Sequence, residues 1–222
     1  MYKYLCIFTA LVFISGCASS IANNKKYRDG NQVISGAFPS ATFTIEEGFV
    51  FYDAEQQFVK VNTNATATSS SNYKSEQFIF IKPLGNVVKN IAVIQFDRMM
   101  KNGWKWARGA QWTGSGVVYG SQKTEIGEME TWAVFTSTEE AMGYIGTEIS
   151  DFAIEPCVIA VTARLIPQGM AYYKHLVHYF EPIDCSDFNY LMYSGGELTN
   201  TGRLRLDRTL RDAFSKILIE SD

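Results

Sequence analysis

Two histidines, two late cysteines, a run of tryptophans and several acidic pairs are the residues of this chain whose types could do chemistry. His175 and His178 are its only histidines. On a helix, a spacing of three would put both imidazoles on one face and invite a metal ion; on a strand the same spacing points them to opposite faces. The surrounding "YYKHLVHYF" has strand character and offers only Glu181 as a third ligand, so no metal site is expected. Nucleophilic catalysis has little to build on. "TGSGV", 113–117, lacks the spacing of a nucleophile elbow. A Cys157 or Cys185 thiolate with His175 as its base would compete with a disulfide between the two cysteines. Glu46-Glu47, Glu128 with Glu130, and Glu139-Glu140 lie in turn-like segments, where solvation accounts for them, and "SGGEL", 194–198, suits a turn. The reading is of no catalytic residues, no metal ligands and no cofactor.

"WKWARGAQW" is the strongest candidate for a binding surface. On a regular strand Trp104, Trp106 and Trp112 share parity with Arg108, which lines three indoles along one surface. Such a surface could stack sugar rings or peptidoglycan, or anchor a protein partner; it could equally be the core face of a sheet with Arg108 snorkelling at its rim. A bulge at Gly109 would break the parity. Arg203, Arg205, Arg208 and Arg211 form a second cluster, but Asp207 and Asp212 interleave with them, which reads as an ion-paired, solvated helix face.

The start of the chain carries an address. "MYKYLCIFTALVFISGC" has Lys3 as its only charge before Cys17, and the apolar block from Tyr4 to Ile14 is too short to span a hydrocarbon core, which takes roughly 20 apolar residues. Ile14-Ser15-Gly16-Cys17 is similar to the lipobox of bacterial prolipoproteins: an apolar residue, two small ones, then cysteine. The resemblance covers the leader and its junction only. It implies a diacylglycerol on the Cys17 thiol, cleavage before Cys17 and acylation of the new amino terminus. Two or three acyl chains, at about 0.8 kcal/mol per buried methylene, make a stable anchor where one does not. Ala18, in place of an aspartate after the cysteine, leans towards the outer membrane, facing the periplasm, if the source is Gram-negative. The expected organisation is a signal peptide over 1–16, a polar lipidated tether over 17–37, from which Lys25, Lys26 and Arg28 could graze head groups, and one globular domain over 38–222.

Composition agrees with an exported binding protein. The chain has 222 residues and a net charge of −3, which becomes −4 once Lys3 leaves with the leader, so no basic footprint for nucleic acid exists. Of four cysteines, Cys6 departs with the leader and Cys17 takes lipid. Cys157 and Cys185 remain, in a compartment that permits a disulfide; two buried thiols are the alternative.

These residues must be positioned mostly by strands. "SATFTI" alternates, "EEG" turns, and "FVFYDAEQQFVKV" runs on through a hairpin or bend. Residues 62–72 read as a polar loop. "SEQFIFIKP" is a strand stopped by Pro83. "KNIAVIQFDRMMKNGWKWARGAQW" reads as a hairpin about Asn102-Gly103, and "GSGVVYGSQKTEIGEMETWAVFTS" as another about "TEIGEM". "TEEAMGYIGTEISDF" fits either a short helix or an irregular strand. "CVIAVTARLIPQGMAYYKHLVHYFEPIDC" reads as strand, turn, strand, its centre near 168 bringing Cys157 opposite Phe180 and within a few residues of Cys185. Leu210, Phe214, Ile217 and Leu218 form one helical stripe, with Asp207 as N-cap. The fold class expected is α+β: a mostly antiparallel sheet, curved or barrel-like, with a C-terminal amphipathic helix packed on it. Three functions follow: a non-catalytic envelope lipoprotein binding a protein or cell-wall partner, a carrier of a small apolar or sugar ligand, and an envelope hydrolase with dispersed catalytic residues.

Overall fold

A computed structural model describes residues 26–36, 40–62, 70–100, 106, 116–146, 148–167, 172–192 and 196–221. Among the described residues eleven strands form two sheets, antiparallel throughout. The smaller contains β1 (Lys26–Asp29), β2 (Gln32–Ser35), β3 (Ala41–Ile45) and β11 (Ile217–Ser221), in the order β1-β2-β3-β11. The larger is built from two meanders. The first is β4 (Val50–Asn62), β5 (Ser70–Leu84) and β6 (Val87–Met99); the second is β7 (Val117–Thr124), β8 (Gly127–Ser137), β9 (Cys157–Leu165) and β10 (Tyr173–Ile183). They join where β6 pairs with β10, giving the order β4-β5-β6-β10-β9-β8-β7. Its edge strands β4 and β7 do not pair, so the sheet is open and the barrel-like alternative is set aside.

The burial pattern of each strand follows from what covers it. β3 alternates between buried and half-buried residues, because the small sheet has one inward face. In β9 every residue after Cys157 is buried, since layers pack on both faces of that central strand. On one face lie the small sheet and helix α3 (Asn200–Ser215). Phe43, Ile45 and Ile219 of the small sheet and Leu206, Leu210 and Ala213 of α3 meet Phe80, Phe96, Val161 and Tyr179 of the large sheet there. On the other face lies helix α1 (Thr138–Ile145), whose Ala141, Met142 and Ile145 pack on Ile79, Ile91, Val93 and Phe180. Helix α2 (Cys185–Leu191) follows β10 directly. Among the described residues no helix is long and apolar enough to cross a membrane.

Several expectations hold. The hairpin over "TEIGEM" pairs Thr124 with Gly127, and the ambiguous segment after β8 is helical, its N-cap Ser137 accepting from Glu140 N. Cys157 and Cys185 form a disulfide, their Cα atoms 5.3 Å apart. The β9–β10 register places Cys157 opposite Ile183, three residues beyond the predicted partner and only two short of Cys185.

Others need correction. The folded part begins by Lys26, inside the segment read as tether: Lys26 pairs with Glu76 at 2.6 Å, and the Arg28 guanidinium lies 4.2 Å from the Phe51 ring centre. From Val50 on, the "FVFYDAEQQFVKV" run is one strand, β4, with a register irregularity between Phe51 and Asp53 and no hairpin within it. Pro83 does not stop β5, because a register irregularity between Lys82 and Pro83 absorbs the missing donor. The residues read as loop over 62–72 include the end of β4 and the start of β5. The last helix starts at Asn200 with Thr199 as its cap and buries Leu206, Leu210 and Ala213 at spacings of four and three; Ile217 and Leu218 belong to β11 instead, with Ile217 opposite Ile45. Its early start was hidden by Gly202, a poor helix former that is required there because a Cβ would sit 2.1 Å from the Leu191 carbonyl oxygen. The hairpin about Asn102-Gly103 lies outside the described residues.

Candidate functional site

The face of the large sheet under α1 carries an unusual row of polar side chains. Strand parity and register bring Ser75 and Gln77 of β5, Gln95 and Asp97 of β6, Lys174 and His178 of β10, and Thr162 and Arg164 of β9 to one end of that face. All of these except Lys174 are buried, and the Lys174 side chain is nearly so. A lone buried carboxylate would be prohibitively costly, so Asp97 needs a cation, and Lys174 Nζ stands 2.8 Å from its Oδ2. The contact is an ion pair without hydrogen-bond alignment. Asp97 Oδ1 accepts from Gln95 Nε2 at 2.8 Å. Gln95 Oε1 in turn accepts from Gln77 Nε2 at 3.3 Å and lies 3.2 Å from His178 Nε2, while His178 Nδ1 is 3.0 Å from Thr162 Oγ1. Arg164 ion-pairs with Glu130 and rests 5.7 Å from the Trp132 ring centre.

The same network holds α1 in place. Gln77 Nε2 also donates to the Ile145 carbonyl at 2.7 Å, and Gln57 Nε2 to the Gly146 carbonyl at 2.8 Å, so two sheet side chains satisfy the carbonyls that a helix C-terminus leaves open. Gly146 closes the helix in the left-handed region at φ 70°. At the other end "STEE" provides a capping-box sequence, and the Glu140 carboxylate accepts from Thr136 Oγ1 at 2.5 Å.

Between α1 and strands β7 to β10 lies a cavity of about 460 Å³. Its walls are largely apolar and aromatic, with Val117, Val134, Ala160 and Phe180 from the sheet, Ala141 from the helix and Trp132 at one side. Its polar lining residues are Thr136, Glu140, Tyr144 and Thr162, with the Trp132 indole beside them. That size and lining suit a small organic molecule.

The line Thr162–His178–Gln95–Asp97 has the order of a nucleophile, a base and an orienting group, but not their chemistry. An uncharged amide stands where a carboxylate would stabilise an imidazolium. Burial, with Lys174 adding to it, pushes the His178 pKa down to about 3, so the ring is neutral and a poor proton acceptor at neutral pH. His175 faces the opposite side, its ring 5.3 Å from Phe96 and 6.4 Å from Phe43, with its pKa lowered to about 4 by burial and by Lys26. The two histidines therefore sit on opposite faces, and among the described residues no metal-binding group of His, Cys, Asp or Glu occurs.

The tryptophan surface is only partly in view. Trp104, Arg108 and Trp112 lie outside the described residues. Trp106 belongs to no strand; it is half-buried, with Lys174 Nζ 3.8 Å from its ring centre and the Tyr73 ring edge-on at 5.1 Å. Burial and the neighbouring Asp97 push the Tyr73 phenol up to about 12. Glu130, read as a solvated turn residue, instead pairs with buried Arg164 from within β8. On the exposed face of α3, Arg208 pairs with Asp212 and Arg211 with Asp207 as expected, while Arg205 pairs instead with Glu181 of β10. The buried polar row was missed, although "QFD" in β6 and "TAR" in β9 each put two polar residues at one parity inside a fully buried strand. No family model, no characterised protein and no solved structure matches this chain at a significant level.

Proposed function

We propose that this chain is a lipid-anchored protein of the bacterial cell envelope whose domain binds a small, largely apolar ligand without altering it. The cavity of about 460 Å³ beneath α1 carries this reading. The neutral, doubly hydrogen-bonded His178 beside it argues for a fixed binding wall over a reacting one. Anchoring rests on Ile14-Ser15-Gly16-Cys17, with the bilayer as partner through acylated Cys17 and the outer membrane, periplasmic side, as the place. Recognition of a protein or peptidoglycan through the tryptophan run takes second place, because Trp106 is already engaged with Lys174 and Tyr73. An envelope hydrolase comes last, since the one hydroxyl–histidine contact in the site lacks a charged third member.

Native mass spectrometry of the protein extracted from its own membrane tests both halves. The expected spectrum shows an acyl increment on a chain beginning at Cys17, plus a small-molecule adduct. An unmodified Cys17 overturns the anchor. A lipidated chain with no adduct, which also takes up no apolar probe, overturns the carrier reading.

A further inference from the structure

We infer that the cavity prefers a ligand whose polar end is an ammonium group, with an alcohol second and a carboxylate excluded. The inference rests on the ligand-binding reading above and adds to it the chemistry of the head group.

It begins at Asp97, two layers behind the cavity wall. The Asp97 carboxylate, ion-paired with Lys174, accepts from Gln95 at 2.8 Å, so the Gln95 group next to it is the NH₂ end of the amide. Gln95 therefore turns its carbonyl oxygen to His178 Nε2, and that nitrogen carries the ring proton. Nδ1 is then bare, and Thr162 Oγ1, 3.0 Å away, donates its single proton to it. Thr162 is a wall residue of the cavity, and with its proton given to His178 it offers a ligand no donor. Thr136, four positions along β8 from the residue paired with Thr162, forms the head-group end of the cavity: it gives its proton to Glu140 at 2.5 Å, leaving an acceptor oxygen beside an acceptor-only carboxylate.

Charge points the same way. Behind the wall, Lys174 is matched by Asp97 and Arg164 by Glu130. Glu140 is the one charged residue among those lining the cavity. The lining residues that carry a donor, Trp132 and Tyr144, are neutral. Both are also aromatic and, with Phe180, line the cavity with rings that attract an organic cation. An ammonium beside Glu140 meets a negative charge and the Thr136 acceptor together; a carboxylate there meets repulsion from Glu140 and a lone pair of Thr136 opposite its own.

The test uses the full lipidated protein in neutral lipid nanodiscs and three water-soluble probes of one shape: 3-phenylpropylamine, 3-phenylpropanol and 3-phenylpropanoate. Affinity is read by tryptophan fluorescence and checked by calorimetry. The expected order is amine, alcohol, acid, with at least a tenfold gap between the first and last. Glu140→Gln should bring the amine to the level of the alcohol and leave the alcohol unchanged, and Thr136→Val should weaken amine and alcohol together. If the acid binds as well as the amine, or Glu140→Gln leaves the order intact, the head-group inference falls while the binding reading survives. If none of the three binds, both fall.

Discussion

The two faces of the large sheet do different work, and its two histidines mark the difference. On the face under the small sheet and α3, His175 is wedged among Phe43 and Phe96, with Lys26 of the Lys26–Glu76 ion pair against the Phe96 ring. On the face under α1, His178 is hydrogen-bonded at both nitrogens, within a row that runs from Lys174 to Thr162 and ends at a cavity. The first face is covered by a whole sheet and a 16-residue helix; the second by an 8-residue helix fixed through two glutamines. Stability should therefore be concentrated on the first face and recognition on the second.

The largest effect should come from the closed face. Phe43→Ala removes a fully buried ring and should cost about 3–5 kcal/mol. Val134→Ala, at the cavity wall, deletes atoms that already lack neighbours on one side and should cost about 1 kcal/mol or less. Urea midpoints at unchanged slope measure both; equal costs would break the division of labour.

Next comes the disulfide. It ties the start of β9 to α2 across 28 positions, and the loop-entropy model assigns such a closure about 3–4 kcal/mol. Replacing both cysteines with serine should cost that much while leaving probe affinity within twofold, because neither cysteine lines the cavity. Peptide mapping without reductant should recover the 157–185 linkage; finding both thiols alkylated would remove the bond.

Acid should separate the two faces less in size than in consequence. Both histidines have folded pKa values below the ordinary 6.5, so the unfolded chain binds their protons more tightly. Stability from each is complete above about pH 6.5 and declines as the pH falls towards about 4 for His175 and about 3 for His178, at about 1.4 kcal/mol per unit for each. His175→Leu should flatten the wild-type acid slope by one histidine's share and leave probe binding unchanged. A slope unaffected by that substitution would mean that His175 is not buried as described.

The closed face was the more legible from sequence, for a physical reason. Strand alternation in "SATFTI", the turn in "TEIGEM", the pairing of β9 with β10 and the cysteine linkage are local signals, set by periods of two and by turn residues. The choice between an open sheet and a barrel was not local; it turns on whether β4 meets β7. α3 was misplaced because Gly202 serves a contact with Leu191, which no helix propensity records. The polar row was hidden more deeply. Gln77, Gln95, His178 and Thr162 come from four strands, and each alone looks like an ordinary polar residue in an apolar run. Only the register, Gln77 beside Gln95 and His178 beside Thr162, makes them one network.

The smallest stability effect gives the sharpest comparison. Ser137 caps α1 by accepting from Glu140 N at 3.1 Å, and Thr199 caps α3 by accepting from Gly202 N at 3.0 Å. The same physics operates at both, and alanine at either should cost about 1 kcal/mol. Their consequences should differ. Ser137 fixes the turn that aims the Glu140 carboxylate into the cavity, so Ser137→Ala should weaken amine binding several-fold, and Ser137→Thr, which restores the accepting oxygen, should recover it. Thr199→Ala acts on the opposite face and should leave binding untouched. If both alanine variants weaken binding alike, affinity follows global stability and the two faces are not independent. If neither does, Glu140 is held by Thr136 alone, and the cap of α1 serves only the helix.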